Sequence, residues 1–129
     1  MKKIISIVTP CFNEEDNVEE LCNRIAKVMN ELPYDYEHIF IDNASTDATV
    51  ARIKKIASDD KRVKLIVNVR NFGHIRSPYY ALLQANGDAC INIASDLQDP
   101  PEKIPEFIAK WEEGYKTVLA VKNQSEESF

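Results

Sequence analysis

The chain has 129 residues, enough for one domain that buries roughly two-thirds of its unfolded surface. Its 44% hydrophobic and 29% charged residues are ordinary for a soluble globular protein. A net charge of −5 with no basic stripe excludes a nucleic-acid backbone as partner, and an anionic ligand would need a cation or local donors to hold it.

In chain order, the hydrophobic pattern alternates short strands with amphipathic helices. Residues 4–8 (Ile-Ile-Ser-Ile-Val) predict a buried strand. Residues 14–32 follow as a helix, with Val18, Leu21, Cys22, Ile25, Val28 and Met29 at helical spacing. Then come a strand over 38–41, a helix over 46–58 and a strand over 63–67. A less regular helix covers 76–85, its start delayed by Pro78, and Gly87 closes it. A strand over 89–94, a helix over 101–113, Gly114 and a last strand over 117–121 complete the pattern. Continuous Val/Ile runs indicate strands covered on both faces, and strand–helix repetition indicates a mostly parallel α/β sheet.

Cys11, Cys22 and Cys90 are odd in number and form no C-x-x-C pair, which points to a reducing compartment. Cys22 and Cys90 fall in apolar patterns and read as buried small hydrophobes. The apolar run after Met1-Lys2-Lys3 is broken by Pro10 and Asn13, and no segment approaches the ~20 apolar residues of a membrane span. The expected localisation is cytoplasmic.

The polar residues that could carry chemistry lie just past strand ends, where open α/β sheets bind ligands. With only Gly73, Gly87 and Gly114 available, neither a dinucleotide fingerprint nor a P-loop can be built. After the first strand comes Thr9-Pro10-Cys11-Phe12-Asn13-Glu14-Glu15-Asp16, with Asn13 placed to cap the helix and three acids at its positive end. After the second, Asp42 stands where it could accept from a nucleobase or ribose, while Ser45 and Asp47 are placed to cap the next helix. After the third, Arg70-Asn71-Phe72-Gly73-His74 offers a glycine turn with Asn71 and, with less weight, His74 in reach of a ligand. After the fourth, Asp96 and Gln98 precede a helix, and alternation along an extended stretch would put them on one side. Hard oxygen ligands of this kind suit Mg²⁺ or Mn²⁺ bridging to a phosphate. Asp99, with Glu102 three residues on, reads as a structural cap.

Together these stretches resemble the inverting family 2 glycosyltransferases with the Rossmann-like GT-A fold, helices on both faces of the sheet. The P-x-[YF]-N-E pattern is Pro10-Cys11-Phe12-Asn13-Glu14, and D-[DN]-x-S-x-D-x-T is Asp42-Asn43-Ala44-Ser45-Thr46-Asp47-Ala48-Thr49. R-N-F-G is Arg70-Asn71-Phe72-Gly73, and G-D is Gly87-Asp88. Asp96-Leu97-Gln98-Asp99-Pro100-Pro101-Glu102 is similar to the polyprenyl-phosphate sugar transferase branch, which includes dolichyl-phosphate mannose synthases and bactoprenol glucosyltransferases.

The resemblance implies a UDP- or GDP-linked sugar donor, a divalent metal (Mg²⁺ or Mn²⁺), and transfer with inversion to a lipid phosphate in cell-envelope glycan synthesis. It implies that Pro10, Phe12, Glu14, Asp42, Asn43 and Asn71 hold the donor. It further implies that Asp96 and Gln98 hold metal and diphosphate, and that Lys122 replaces a diphosphate-contacting arginine. The chain departs from D-A-D-L-Q at Ala94 and from a frequent second aspartate at Asn43. Relatives continue well past this point, so residues 1–129 are expected to form a single donor-binding domain truncated before the catalytic base, the acceptor loop and membrane helices. Such a chain is expected to be inactive alone, to work at the cytoplasmic face of a membrane at full length, and to be able to form a homo-oligomer. Alternatives are a family 2 transferase with a saccharide acceptor, a nucleotidyltransferase, and a non-catalytic nucleotide-binding or interaction module. Thr9–Glu14 is neither glycine-rich nor basic, which disfavours the nucleotidyltransferase.

Overall fold

A computed structural model describes residues 2–116 and 118. Four strands, β1 (Ile4–Cys11), β2 (Asp35–Asp42), β3 (Val63–Val67) and β4 (Ala89–Asn92), form one sheet in the order β3-β2-β1-β4. Every neighbouring pair is parallel. They alternate with helices α1 (Val18–Asn30), α2 (Thr49–Asp59) and α3 (Gly73–Leu83), and a 3-10 turn, Pro101–Lys103, leads into α4 (Ile104–Glu112). The expected α/β fold is present.

Alternation along the strands divides the core in two. Ile5, Ile7 and Cys11 of β1 and Tyr36 and Phe40 of β2 pack with Leu21, Ile25 and Met29 of α1, Ile53 of α2 and Ile104 and Ile108 of α4. On the opposite face Val8, Ile39 and Ile41 meet Ala81 of α3. Helices thus cover both faces of β1 and β2, whose central residues are fully or almost fully buried.

On β4 the half-buried Ala89 and Ile91 pack against the first of these clusters, while the alternate residues are exposed. By register Cys90 and Asn92 share the face of Ser6 and Val8. Helix α3 packs on β1 and β2 there, so Cys90 is exposed rather than buried, whereas Cys22 is buried as expected. Among the described residues β4 pairs with β1 alone, and apolar composition does not show which face of a strand a helix covers.

Other boundaries shift for local reasons. Strand β1 runs on to Cys11 because Asp42 pairs beside it, and α1 begins only at Val18, after a turn over 15–17. Helix α3 starts early, at Gly73, and ends at Leu83, so Gly87 does not close it. Gly87 instead lies against β1: a Cβ there would meet the Ser6 hydroxyl at 2.5 Å and the Ile4 carbonyl at 2.8 Å. The expected strand over 117–121, and Lys122 beyond it, lie outside the described residues.

Candidate functional site

The C-terminal ends of four parallel strands deliver four loops to one edge of the sheet. Two of them are tied together. Asn13, in left-handed backbone with φ 52°, donates its N–H to Ser45 Oγ at 2.9 Å and accepts from the Thr46 N–H at 2.8 Å. The Glu14 N–H donates to Thr49 Oγ1 at 2.9 Å, and the Ala48 N–H donates to Glu15 Oε2 at 3.1 Å. The Arg52 guanidinium closes the set on the Glu15 carbonyl at 2.8 Å. Asn13 therefore clasps the second loop and does not cap α1, because the turn over 15–17 separates it from the helix. Arg52 carries no sequence signal for this role; Thr49 has one in the Asp-x-Thr spacing.

Asp47 stands one residue before Ala48, the N-cap of α2, and takes the Thr49 N–H at 2.9 Å and the Thr49 hydroxyl at 2.5 Å. Burial opposes its ionisation, but the bonds from Thr49 and Glu15 outweigh it and hold the carboxyl below the usual range. Ser45 does not cap that helix. Its hydroxyl and N–H both turn back to Asp42, at 2.5 and 2.9 Å.

Asp42 is fully buried, and its Oδ1 also lies 3.7 Å from Cys11 Sγ. Burial and the neighbouring Asp42 charge push the Cys11 thiol far up and disfavour the thiolate. Asn43, 7% exposed, spends its amide on the third loop. Its Oδ1 accepts from Asn68 Nδ2 at 3.0 Å and the Phe72 N–H at 3.1 Å, and its Nδ2 donates to the Gly73 carbonyl at 3.2 Å. Asn71 is exposed on that loop and accepts the Gly73 N–H at 2.8 Å, while the Arg70 guanidinium lies 4.8 Å from the Phe72 ring centre.

Pro10 and Glu14 are half-buried at the end of β1, and Phe12 is 46% exposed. Asp96 and Gln98 are both exposed beyond β4. They do not lie along an extended stretch. Leu97 between them has φ 64°, and its side chain packs against the α1 side of the core. Asp96 Oδ1 accepts the Gln98 N–H at 3.1 Å across that turn.

The expected cap at Asp99 is not made. Pro100 and Pro101 bring no N–H to this helix start, no side-chain cap bond forms there, and Glu102 pairs with Arg24 of α1 instead. Among the described residues no three His, Cys, Asp or Glu side chains group to hold a metal. Asp96 offers a single carboxylate, and Mg²⁺ commonly takes one or two carboxylates and completes its shell from phosphate and water. Asp96 does not fit an all-protein metal cage.

The chain matches the family model described as Glycosyl transferase family 2 over residues 6–128. It is 40% identical over 116 residues to the bactoprenol glucosyl transferase of Shigella phage SfV, covering 90% of this chain and 38% of that protein. It is 36% identical over 126 residues to the undecaprenyl-phosphate 4-deoxy-4-formamido-L-arabinose transferase of Pseudomonas fluorescens, covering 96% of this chain and 37% of that one. Among solved structures it resembles Mycobacterium tuberculosis glucosyl-3-phosphoglycerate synthase in complex with Mn²⁺, UDP-glucose and phosphoglyceric acid. That likeness has a TM-score of 0.68 and 28% identity, over 87% of this chain and 40% of the other. The chain thus spans under two-fifths of the length of the two curated relatives.

Proposed function

The chain belongs to glycosyl transferase family 2, and we propose that its strand-end loops hold the nucleoside diphosphate of a sugar donor for transfer, with inversion, to a polyprenyl phosphate. The observation that carries this reading is the exposed Asp96–Gln98 turn, an oxygen-ligand pair at the C-terminal edge of a parallel sheet. The names of the bactoprenol and undecaprenyl-phosphate relatives support the lipid phosphate as acceptor and an envelope role. The Mn²⁺ and UDP-glucose of the solved relative support the donor and the metal.

In this reading Pro10, Phe12, Glu14 and Asn71 border the nucleoside. Asp42 and Asn43 brace the loops beneath it, and Lys122 serves the diphosphate. Asp96 and Gln98 hold Mg²⁺ or Mn²⁺ with the diphosphate, where the ion would neutralise the leaving group as a Lewis acid. The clasp from Asn13 to Thr46 sets the first two loops before a ligand arrives, which reduces the ordering cost of binding. A lipid phosphate is already anionic, so the acceptor needs positioning more than deprotonation. The reaction then belongs at the cytoplasmic face of a membrane. No helix among the described residues is long and apolar enough to cross one.

Calorimetric titration with UDP and GDP, in Mn²⁺ and then in excess EDTA, tests the donor site. Binding of one nucleotide in Mn²⁺, abolished by EDTA, is the expected result. Absence of metal-dependent binding for both overturns it.

A further inference from the structure

We infer that Asn43 is a positioning residue: it sets the pose of the loop over residues 70–73 and acts on a bound nucleotide through that loop, not by contact. The inference rests on the nucleotide site proposed above. Three observations carry it. The Asn43 side chain is 7% exposed and makes three hydrogen bonds, two accepted by Oδ1 from Asn68 and Phe72 and one donated by Nδ2 to Gly73.

The link joins two turns with left-handed backbone. Ala44 next to Asn43 has φ 64°, a conformation that L side chains rarely adopt, and Gly73 has φ 90°, which glycine takes without strain. The loop fixed in this way presents Asn71 and Arg70, both exposed, at the same edge as Asp96. An amide suits the place and a carboxylate does not. Aspartate keeps both acceptors but puts a negative oxygen against the Gly73 carbonyl, where a donor is required.

The test combines amide exchange with a double-mutant cycle. Asn43→Ala is expected to speed exchange of the Phe72 N–H by about tenfold, the loss of one hydrogen bond, while strand amides such as that of Ile41 stay protected. Affinity for UDP or GDP in Mn²⁺ is expected to fall by about tenfold, and adding Asn71→Ala should cost little more, because the loop is already misplaced. Unchanged Phe72 exchange, or losses from Asn43 and Asn71 that simply add, overturns the inference.

If Asn43→Ala does not fold, Asn43→Asp decides: Phe72 stays protected while affinity falls, and unaltered affinity overturns the inference. If the unmodified chain binds neither nucleotide, the donor-site reading fails. Phe72 exchange in Asn43→Ala then still decides the loop role.

Discussion

Thr9 Oγ1 and His38 Nε2 lie 2.9 Å apart in the interior, joining β1 to β2 directly below the candidate site. His38 is fully buried, with Cys22 Sγ 3.9 Å from its other nitrogen and the Phe40 ring centre at 4.1 Å. Burial pushes the imidazole down from 6.5 to about 3.

A depressed histidine destabilises the fold in acid. Between 6.5 and about 3 the unfolded chain binds a proton that the folded chain refuses. Stability contributed by neutral His38 is full above 6.5 and falls as pH drops through that window. The slope is about 1.4 kcal/mol per pH unit, so moving from pH 6.5 to 5 should cost about 2 kcal/mol. Carboxylates held low, such as Glu37, lose their contribution only as pH falls past 4.5. Urea melts at pH 7 and 5 check this, and His38→Gln should flatten the difference.

Glu37 is the buried hub of a second polar cluster. It takes the Ser6 hydroxyl at 2.6 Å, the Lys64 ammonium at 2.6 Å and the Asn86 N–H at 2.7 Å. Burial resists its ionisation, but these donors outweigh it and hold the carboxyl below its ordinary value. Glu37→Ala strands the buried Ser6 hydroxyl and removes the partner of the Asn86 N–H, and is expected to cost about 2–3 kcal/mol. Lys64 is half exposed, and Lys64→Ala should cost under about 1 kcal/mol. Denaturant midpoints of the two variants measure the asymmetry.

Gly87→Ala tests a close approach. The new methyl would sit 2.7 Å from the Ser6 nitrogen and 2.8 Å from the Ile4 carbonyl, both backbone atoms of β1 that cannot swing aside. A loss of about 2–3 kcal/mol is expected, at the upper end for overpacking. At Gly114 a Cβ meets nothing within 4 Å, but φ is 106°, so alanine there should cost about 1 kcal/mol through backbone strain alone. Thermal melts of both separate crowding from strain.

Asp96→Asn removes the charged ligand and keeps the size of the side chain. Metal-dependent nucleotide affinity should fall at least about tenfold, the worth of one charge-assisted contact. Because Asp96 is exposed and its bond to the Gln98 N–H can be kept by an amide oxygen, the melting temperature should not change. Calorimetry and a melt on the same sample check both halves.

Strand–helix alternation was legible in the sequence because continuous apolar runs and helical spacing are local patterns. The strand-end motifs were legible for the same reason: Pro10 to Glu14, Asp42 to Thr49, Arg70 to Gly73 and Asp96 to Glu102 each sit a few residues beyond an apolar run. Asp47 finds its partner, Thr49, among its own neighbours.

What the tertiary structure alone decided are relations between segments distant in sequence. Asn13 reaches Ser45 and Thr46, not its own helix, and Asn43 reaches Asn68, Phe72 and Gly73. Gly87 is small because β1 passes beside it, and Cys90 is exposed because α3 packs on β1 and β2 and not on β4. Local sequence sets which groups need a hydrogen-bond partner or cover from water. Packing of the sheet and its crossovers sets which distant residue supplies it, and no window of neighbouring residues contains that information.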